Sequence, residues 1–201
     1  MTSRALQVAV GQRELRRTLG LFATGITVVT ARDRLDVHAM TANSFTSVSL
    51  EPPLVVVCAH QGGRLQGLIQ RAGAFAVSVL AVDQEPTARH FADPYRPAGF
   101  DQLGGMGWRS GPVTGAPLLD GCLAWLECSL HDVVASGDHE ILVGRVQWMA
   151  RSGRCDPLLF FASSYRRLDE PRPASTPEEV CPCKPSSTAS ITRVASGSRM
   201  P

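Results

Sequence analysis

The stretch MTANSFTSVSL, residues 40–50, has the length of a β-strand but carries many small polar side chains. Thr, Asn and Ser occupy six of its eleven positions, whereas buried strands are dominated by β-branched and aromatic residues and rarely contain Asn. A two-residue period predicts one strand whose polar face carries Thr41, Asn43, Phe45, Ser47 and Ser49. Composition alone leaves two interpretations open. The face is either a solvated strand edge or a wall that hydrogen-bonds a polar, phosphate-bearing ligand.

The segments before this stretch predict a helix and a β-hairpin. The run RELRRTLGLFATG (13–25) places Leu15, Leu19 and Phe22 on one helical face and ends at Gly25. The run ITVVTARDRLDVHAM (26–40) reads as two short strands around the polar turn ARDR. The second strand leads directly into the polar stretch.

The segments after the stretch predict further strands and two helices. EPPLVVVCA (51–59) indicates a central strand buried on both faces, and residues 93–121, rich in Gly and Pro, indicate a long surface loop. The predicted helices are RLQGLIQRAG (64–73), closed by Gly73, and QEPTARHFA (84–92), with Pro86 in its first turn. The other predicted strands are AFAVSVL (74–80), CLAWLECSLHDVV (122–134), EILVGRVQWMA (140–150) and PLLFFASSY (157–165).

Seven or eight short strands, about three helices and mostly hairpin connections favour a mainly β fold. We expect a closed antiparallel barrel with a few peripheral helices rather than a doubly wound sheet. No GxGxxG motif follows a strand, so the sequence gives no support to a Rossmann cofactor site.

The domain organisation follows from length and composition. A chain of 201 residues with 44% hydrophobic content is expected to form one domain over 11–169, after an N-terminal extension at 1–10. From residue 170 onward the chain is rich in Pro, Ser, Thr, Arg and Glu, so the tail 170–201 is expected to be disordered.

Charge and hydropathy exclude several classes of partner. The net charge of +2 is spread along the chain without a dense basic patch, so no nucleic-acid partner is expected. The longest apolar run, LVVVCA (54–59), is too short to span a bilayer, and the N-terminus lacks a signal-peptide pattern. We therefore expect a cytoplasmic protein that does not enter a membrane.

The cysteines give little indication of disulfides or metal binding. Cys58, Cys122 and Cys128 lie in apolar strand-like runs, where free thiols are typical. The CPC pair at 181–183 has no second Cys/His pair nearby at the spacing that zinc requires. No metal site is expected.

Five segments in order carry a resemblance to a known family. GITVVT (25–30), MTANSFTSVSLEPPLVVVC (40–58), FAVSVL (75–80), GDHEILVGRV (137–146) and PLLFFASSY (157–165) together resemble the flavin reductase family. These are short-chain NAD(P)H:flavin oxidoreductases that serve as reductase components of two-component monooxygenases. The resemblance covers about residues 10–168. It implies an FMN-binding split β-barrel and a homodimer that reduces FMN or FAD with NADH or NADPH, for a monooxygenase partner that receives the reduced flavin.

The resemblance also implies which residues bind the flavin. The positions placed against the isoalloxazine edge and ribityl chain are Asn43, Ser44, Phe45, Thr46, Ser47 and Ser49. The remaining implied cofactor-binding positions are Cys58, Ala59, His60, Arg64, Phe91 and Arg96. Arg64 follows the loop expected to receive the flavin phosphate, where Gly62 and Gly63 let backbone amides approach. This loop lacks the Ser or Thr that the family commonly has beside its basic residue. Arg96 stands in for the lysine that the family often has before the next loop's Phe.

Three residues are implied to contact the nicotinamide cofactor. His139 in GDHE matches the family's nicotinamide-contacting histidine and is assigned the catalytic position, with a positioning role. Tyr165 and Arg166 follow the last strand, where the family often contacts the dinucleotide. His38, His90 and His131 match no such motif and are interpreted as structural.

Two other functions remain open at this point. A non-enzymatic flavin-binding or electron-carrier protein on the same barrel would keep the polar strand but would not oxidise NAD(P)H. An enzyme similar to pyridoxamine-phosphate oxidases would share the barrel class, although the five segments favour a flavin reductase. The hydride transfer itself needs no protein nucleophile, because the two cofactors carry the chemistry.

Overall fold

A computed structural model describes residues 10–168 of the chain. Three α-helices, one 3₁₀ helix and twelve strands form over these residues. The helices are α1 (Gln12–Leu19), α2 (Arg64–Ala72), α3 (Glu85–Ala92) and the 3₁₀ helix Gly99–Leu103. The strands are β1 (Thr24–Gly25), β2 (Thr27–Asp33), β3 (Asp36–Ala42), β4 (Thr46–Leu50), β5 (Pro53–His60), β6 (Ala74–Val79), β7 (Trp108–Ser110), β8 (Pro117–Leu119), β9 (Ala124–Ser136), β10 (His139–Arg151), β11 (Leu159–Phe161) and β12 (Ser164–Arg166).

One sheet of seven strands dominates the fold, in the order β3-β2-β6-β9-β10-β5-β4. Every pairing in it is antiparallel. Two small sheets accompany it, β1-β11-β12 and the hairpin β7-β8. The expectation of a mainly β, antiparallel fold with a few peripheral helices is confirmed.

The main sheet curls around an apolar interior. Ala42 of β3 and Val57 of β5, from near opposite ends of the strand order, lie in the same buried cluster as Phe75 of β6. Helix α2 covers this interior with Leu65, Leu68 and Ile69, which are its buried apolar residues. Its C-terminus is closed by Gly73 in the left-handed conformation, as the sequence predicts. The two edge strands, β3 and β4, are joined directly by residues 43–45.

A second apolar layer covers the outer face of β2, β3, β6 and β9. Phe91 of α3, Leu103 of the 3₁₀ helix and Leu118 of β8 are buried in it. The buried Gln102 hydrogen-bonds the backbone N–H of Ala39 and the backbone C=O of Val37 through its side-chain amide, at 2.9 and 3.0 Å. This amide thus takes the place of a neighbouring strand along the free edge of β3.

The polar stretch is not one strand, as the sequence suggested, but the end of β3, a break at 43–45 and the start of β4. Across this break the Ser44 hydroxyl accepts a hydrogen bond from the Cys58 N–H at 3.0 Å and donates to the Cys58 C=O at 3.3 Å. Because this side chain supplies the contacts that a strand neighbour would give, the chain can leave β3 and cross to the other edge of the sheet. The single polar face predicted from a two-residue period therefore does not form.

Four other expectations are corrected. Helix α1 ends at Leu19 and buries none of its residues, while Gly25 belongs to β1. Strand β5 is buried on only one face, because no layer formed by residues 10–168 covers its outer side. The long loop 93–121 contains the 3₁₀ helix and the hairpin β7-β8. PLLFFASSY is a hairpin, β11-β12, not a single strand.

The cysteine expectation holds for the three positions it named. Cys58, Cys122 and Cys128 are free, and burial raises the pKa of the Cys122 thiol to about 11 and that of Cys128 to about 12. These two thiols therefore stay protonated and pack as small apolar groups. The CPC pair, the tail 170–201 and most of the extension 1–10 lie outside the described residues. Within residues 10–168, no helix has the length and apolar character needed to cross a membrane.

Candidate active site

Two histidines meet at one corner of the barrel. His139, the first residue of β10, pairs with His60, the last residue of β5, and their ring centroids are 5.3 Å apart. The adjacent Asp138 carboxylate lies 2.8 Å from His139 Nδ1, and its backbone C=O accepts a hydrogen bond from the Gln61 N–H at 3.0 Å. The sequence placed His60 and His139 in different parts of the cofactor site, and the register of β5 against β10 brings them together.

The contact between Asp138 and His139 fixes how the ring is presented. The hydrogen bond from His139 and the charge of that ring lower the pKa of Asp138, so its carboxylate is ionised at neutral pH. An ionised carboxylate can only accept a hydrogen bond, so Nδ1 carries a proton and Nε2 is left to face a ligand. The motif GDHE contained this partner, but the sequence analysis did not assign Asp138 a role.

Helix α2 begins beside the histidine pair, and no side chain among residues 10–168 caps its N-terminus. Its N-cap residue is Gly63, where a Cβ atom would lie only 2.8 Å from the backbone oxygen of His60, and Gly62 has a φ of 73°. Uncapped N–H groups at a helix N-terminus attract anions. Arg64, the first residue of α2, is half exposed and forms a 3.0 Å ion pair with Asp36. This corner therefore combines a cation with backbone donors, as a phosphate site requires.

The exposed part of the polar stretch lies next to this corner, because Ser44 is bonded to Cys58, two residues before His60. Asn43, Thr46 and Ser47 are exposed, and their side chains form no hydrogen bond with other residues of the described range. The remaining hydroxyls are already used within the protein: Thr41 donates to the Ala88 C=O, and Ser49 accepts from the Glu51 N–H. Phe45 is half-buried against the barrel interior.

Arg96 is held by the protein in a way that leaves little of it for a ligand. Its guanidinium donates to the backbone C=O groups of Asp93 and Ala39 and contacts His38 Nε2 at 3.1 Å. Burial lowers the pKa of His38 to about 4, with smaller contributions from the Arg96 and Arg64 charges. His38 is therefore neutral at pH 7 and accepts from Arg96. Arg96 fastens the loop after α3 to the edge of β3, which leaves few of its N–H donors for the cofactor contact that the resemblance implies.

Three other predicted positions differ in what they can offer a cofactor. Phe91 has an exposed fraction of 0% within the outer apolar layer, so its side chain has no surface to contact a cofactor and this expectation is wrong. The Ala59 side chain, 2% exposed, also points into the barrel interior. Cys58 remains half-buried on the uncovered outer face of β5.

Tyr165 and Arg166 lie in a different neighbourhood from His139. The Tyr165 ring packs edge-on against Phe160 and under the guanidinium of Arg89, 4.8 Å from its ring centroid. Phe160 in turn lines an open cleft of about 520 Å³ between α1 and the hairpin β11-β12. The other residues lining this cleft are Arg16, Leu19, Gly20, Phe22, Thr24, Asn43 and Ser163. Asn43 therefore connects this cleft with the polar stretch, whereas no contact in the described range joins Tyr165 to His139.

Comparisons with known proteins identify the family of this chain. Residues 19–169 match the family described as "Flavin reductase like domain". An NADH-dependent FAD reductase of Streptomyces globisporus is 45% identical over 159 residues, which cover 77% of this chain and 85% of that protein. The reductase component of 4-hydroxyphenylacetate 3-monooxygenase from Thermus thermophilus is 40% identical over 153 residues, 76% of this chain and 94% of that protein.

A solved structure is similar over most of the chain as well. The NADH:FAD oxidoreductase of Streptomyces globisporus, in complex with NAD and FAD fragments, has a TM-score of 0.78 and 41% identity, covering 85% of this chain and all of that one. Sequence and fold thus point to the same group of proteins, and the chain belongs to the flavin reductase family.

Proposed function

We propose that this protein reduces FMN or FAD with NADH or NADPH and supplies the reduced flavin to a separate monooxygenase. The observation that carries the proposal is the corner where the His60–His139 pair, the uncapped N-terminus of α2 with Arg64, and the exposed polar residues after β3 lie together. The relatives support it, since one is an NADH-dependent FAD reductase and another is the reductase component of a monooxygenase.

Each part of this corner has a task in binding the two substrates. Arg64 and the N–H groups of α2 hold the flavin phosphate. Asn43, Thr46 and Ser47, whose side chains are exposed, hydrogen-bond the polar edge of the flavin, while Ser44 and Ser49 keep the backbone in place. His139 presents Nε2 to the nicotinamide carboxamide or ribose, because Asp138 holds its other nitrogen.

The chemistry requires little more from the protein than this placement. The nicotinamide delivers a hydride to the flavin, and no side chain has to act as a nucleophile. The residues around the corner bring the two rings into contact and provide N–H donors where negative charge develops. Arg96 and Phe91, which the sequence also suggested, have no part in this assignment.

The test is anaerobic mixing of the purified protein with excess flavin and reduced nicotinamide, for each of the four pairs of FMN or FAD with NADH or NADPH. We expect loss of the visible flavin absorbance with at least one pair, at a rate far above the mixture without protein. If no pair bleaches while the protein still binds flavin, the alternative of a non-enzymatic flavin-binding or electron-carrier protein replaces the reductase.

The homodimer belongs to this proposal. The outer face of β5 and β10 carries the half-buried Val56, Cys58, Ile141 and Val143, and no layer from the described part of the chain covers it. An uncovered apolar face beside a ligand site is typical of a subunit interface. Sedimentation equilibrium is expected to give twice the chain mass, and a monomer at every concentration would contradict the homodimer.

The cytoplasmic location stays a prediction.

A further inference from the structure

A buried carboxylate connects the two parts of the candidate site. Glu140 follows His139 on β10 and is 9% exposed, and its Oε2 accepts hydrogen bonds from Gln66 Nε2 at 2.7 Å and from Gln70 Nε2 at 3.0 Å. Gln66 and Gln70 lie four residues apart, so they occupy the same face of α2. A buried carboxylate is costly unless donors compensate it, and here two amides from one helix do so.

These two bonds fix α2 relative to β10. Among the described residues, they are the only side-chain hydrogen bonds between the two elements, since the other polar contacts of α2 go from Arg64 and Arg71 to β2 and β3. The apolar side chains of α2 also pack on the interior, but apolar contacts have little directionality. Hydrogen bonds to a charged acceptor are directional and strong, so Glu140 determines where the helix lies along the strand.

The position of Glu140 in the chain gives this contact a functional meaning. It lies directly after His139, assigned to the nicotinamide, while Gln66 lies two residues after Arg64, assigned to the flavin phosphate. A displacement of α2 along β10 would change the distance between these two groups. Placement errors of about 1 Å between reacting partners can lower rates by about a hundredfold.

We propose that Glu140 is a positioning residue of the reductase, which holds the phosphate-binding end of α2 at the correct distance from the histidine pair. This inference rests on the proposed function. It predicts that loss of the Glu140 contact weakens the binding of both substrates. Substitution of His139 is expected to weaken mainly nicotinamide binding, and substitution of Arg64 mainly flavin binding.

The test exchanges the Glu140 carboxylate and the Gln66 amide between the two positions. In Glu140→Gln the amides of α2 lose their carboxylate, and in Gln66→Glu two carboxylates face each other, so each variant is expected to raise both KM values by about fivefold. In the double variant Glu140→Gln/Gln66→Glu an amide and a carboxylate face each other again, and both KM values are expected to return to within about twofold of the wild type. A purely structural role would instead lower only the fraction of active protein, with both KM values and the kcat per active site unchanged.

Two further measurements keep the outcome decisive. Gln70→Ala removes one donor from an exposed helix position, so it is expected to fold and to give a smaller rise in both KM values. Gln147→Ala, which removes an amide bonded to Ser129 at the far end of β10, serves as the matched control and should leave both unchanged.

Unchanged KM values in Glu140→Gln and Gln70→Ala, or a double variant no better than Glu140→Gln, would overturn the proposal. An inactive wild type would instead contradict the reductase function. In that case the flavin Kd of Glu140→Gln, compared with that of the wild type by fluorescence titration, would test the role of Glu140.

Discussion

The half-buried His38 allows a quantitative prediction of how stability depends on pH. Its pKa falls from 6.5 to about 4 because it is desolvated and lies near the charges of Arg96 and Arg64, while Asp36 opposes this shift. As pH falls below about 6.5, the unfolded chain binds a proton that folded His38 does not bind until pH about 4. The free energy of unfolding therefore decreases as pH falls from about 6.5 to about 4, and the contribution of His38 is complete above this window.

The magnitude follows from the two pKa values. One pKa unit corresponds to about 1.36 kcal/mol, so their difference of about 2.5 corresponds to about 3.4 kcal/mol. Water that reaches the partly exposed ring screens the two guanidinium charges, so we expect His38 to account for about 2 kcal/mol of the loss between pH about 7.5 and 4.5.

The assay is urea unfolding of the wild type and of His38→Gln across this pH window. Gln keeps an acceptor where His38 Nε2 meets Arg96 but cannot titrate. We expect the variant to lose about 2 kcal/mol less than the wild type between pH about 7.5 and 4.5. His131→Gln, at an exposed position of β9, is the control and should follow the wild type. Parallel pH dependences of wild type and His38→Gln would refute the reasoning.

Three other substitutions test the interior and the site. In Gly144→Ala the new Cβ would overlap a Phe ring on β6, so we expect a loss of about 1–3 kcal/mol in thermal or urea unfolding; Gly153→Ala, with open space around it, should change little. Arg64→Gln is expected to weaken FMN binding about tenfold in fluorescence titration and to leave riboflavin unaffected, because only FMN has the phosphate. Arg71→Gln, which pairs with the same aspartate from the other end of α2, should bind FMN normally. His139→Ala should raise the KM for the nicotinamide more than the flavin Kd, and an unchanged KM would remove it from the site.

Local sequence patterns were sufficient for many of the elements. Helix α2 was predicted from Leu65, Leu68 and Ile69 together with a closing Gly73, and these residues are its buried face and its cap. The hairpin β2-β3 and the long strands β9 and β10 were also expected. In each of these segments the spacing of apolar residues matches the face that the element buries. A pattern of a few residues is therefore enough to predict whether the segment is a helix or a strand.

The errors arose where a distant residue replaces a local partner. MTANSFTSVSL was expected to be one strand, but Ser44 bonds Cys58 from 14 positions away and allows the chain to cross between sheet edges. Arg96 was assigned to the cofactor as a substitute for the family's lysine, but Ala39 and His38 engage it. Phe91 falls on the inner face of α3, which only the packing of that helix against the sheet could show.

The sequence alone determined that this chain is an antiparallel β protein of the flavin reductase family, and it identified His139, Arg64 and the polar stretch as candidates. The antiparallel β fold follows from residue types and short spacings, which act through local backbone preference and burial. The family, and with it the choice of His139 and Arg64, follows from the resemblance of five sequence segments. The tertiary structure alone decided that His60 meets His139, that Asp138 presents Nε2, and that Glu140 joins β10 to α2. These contacts depend on strand register and on how the helix covers the barrel, and both result from the packing of the whole interior.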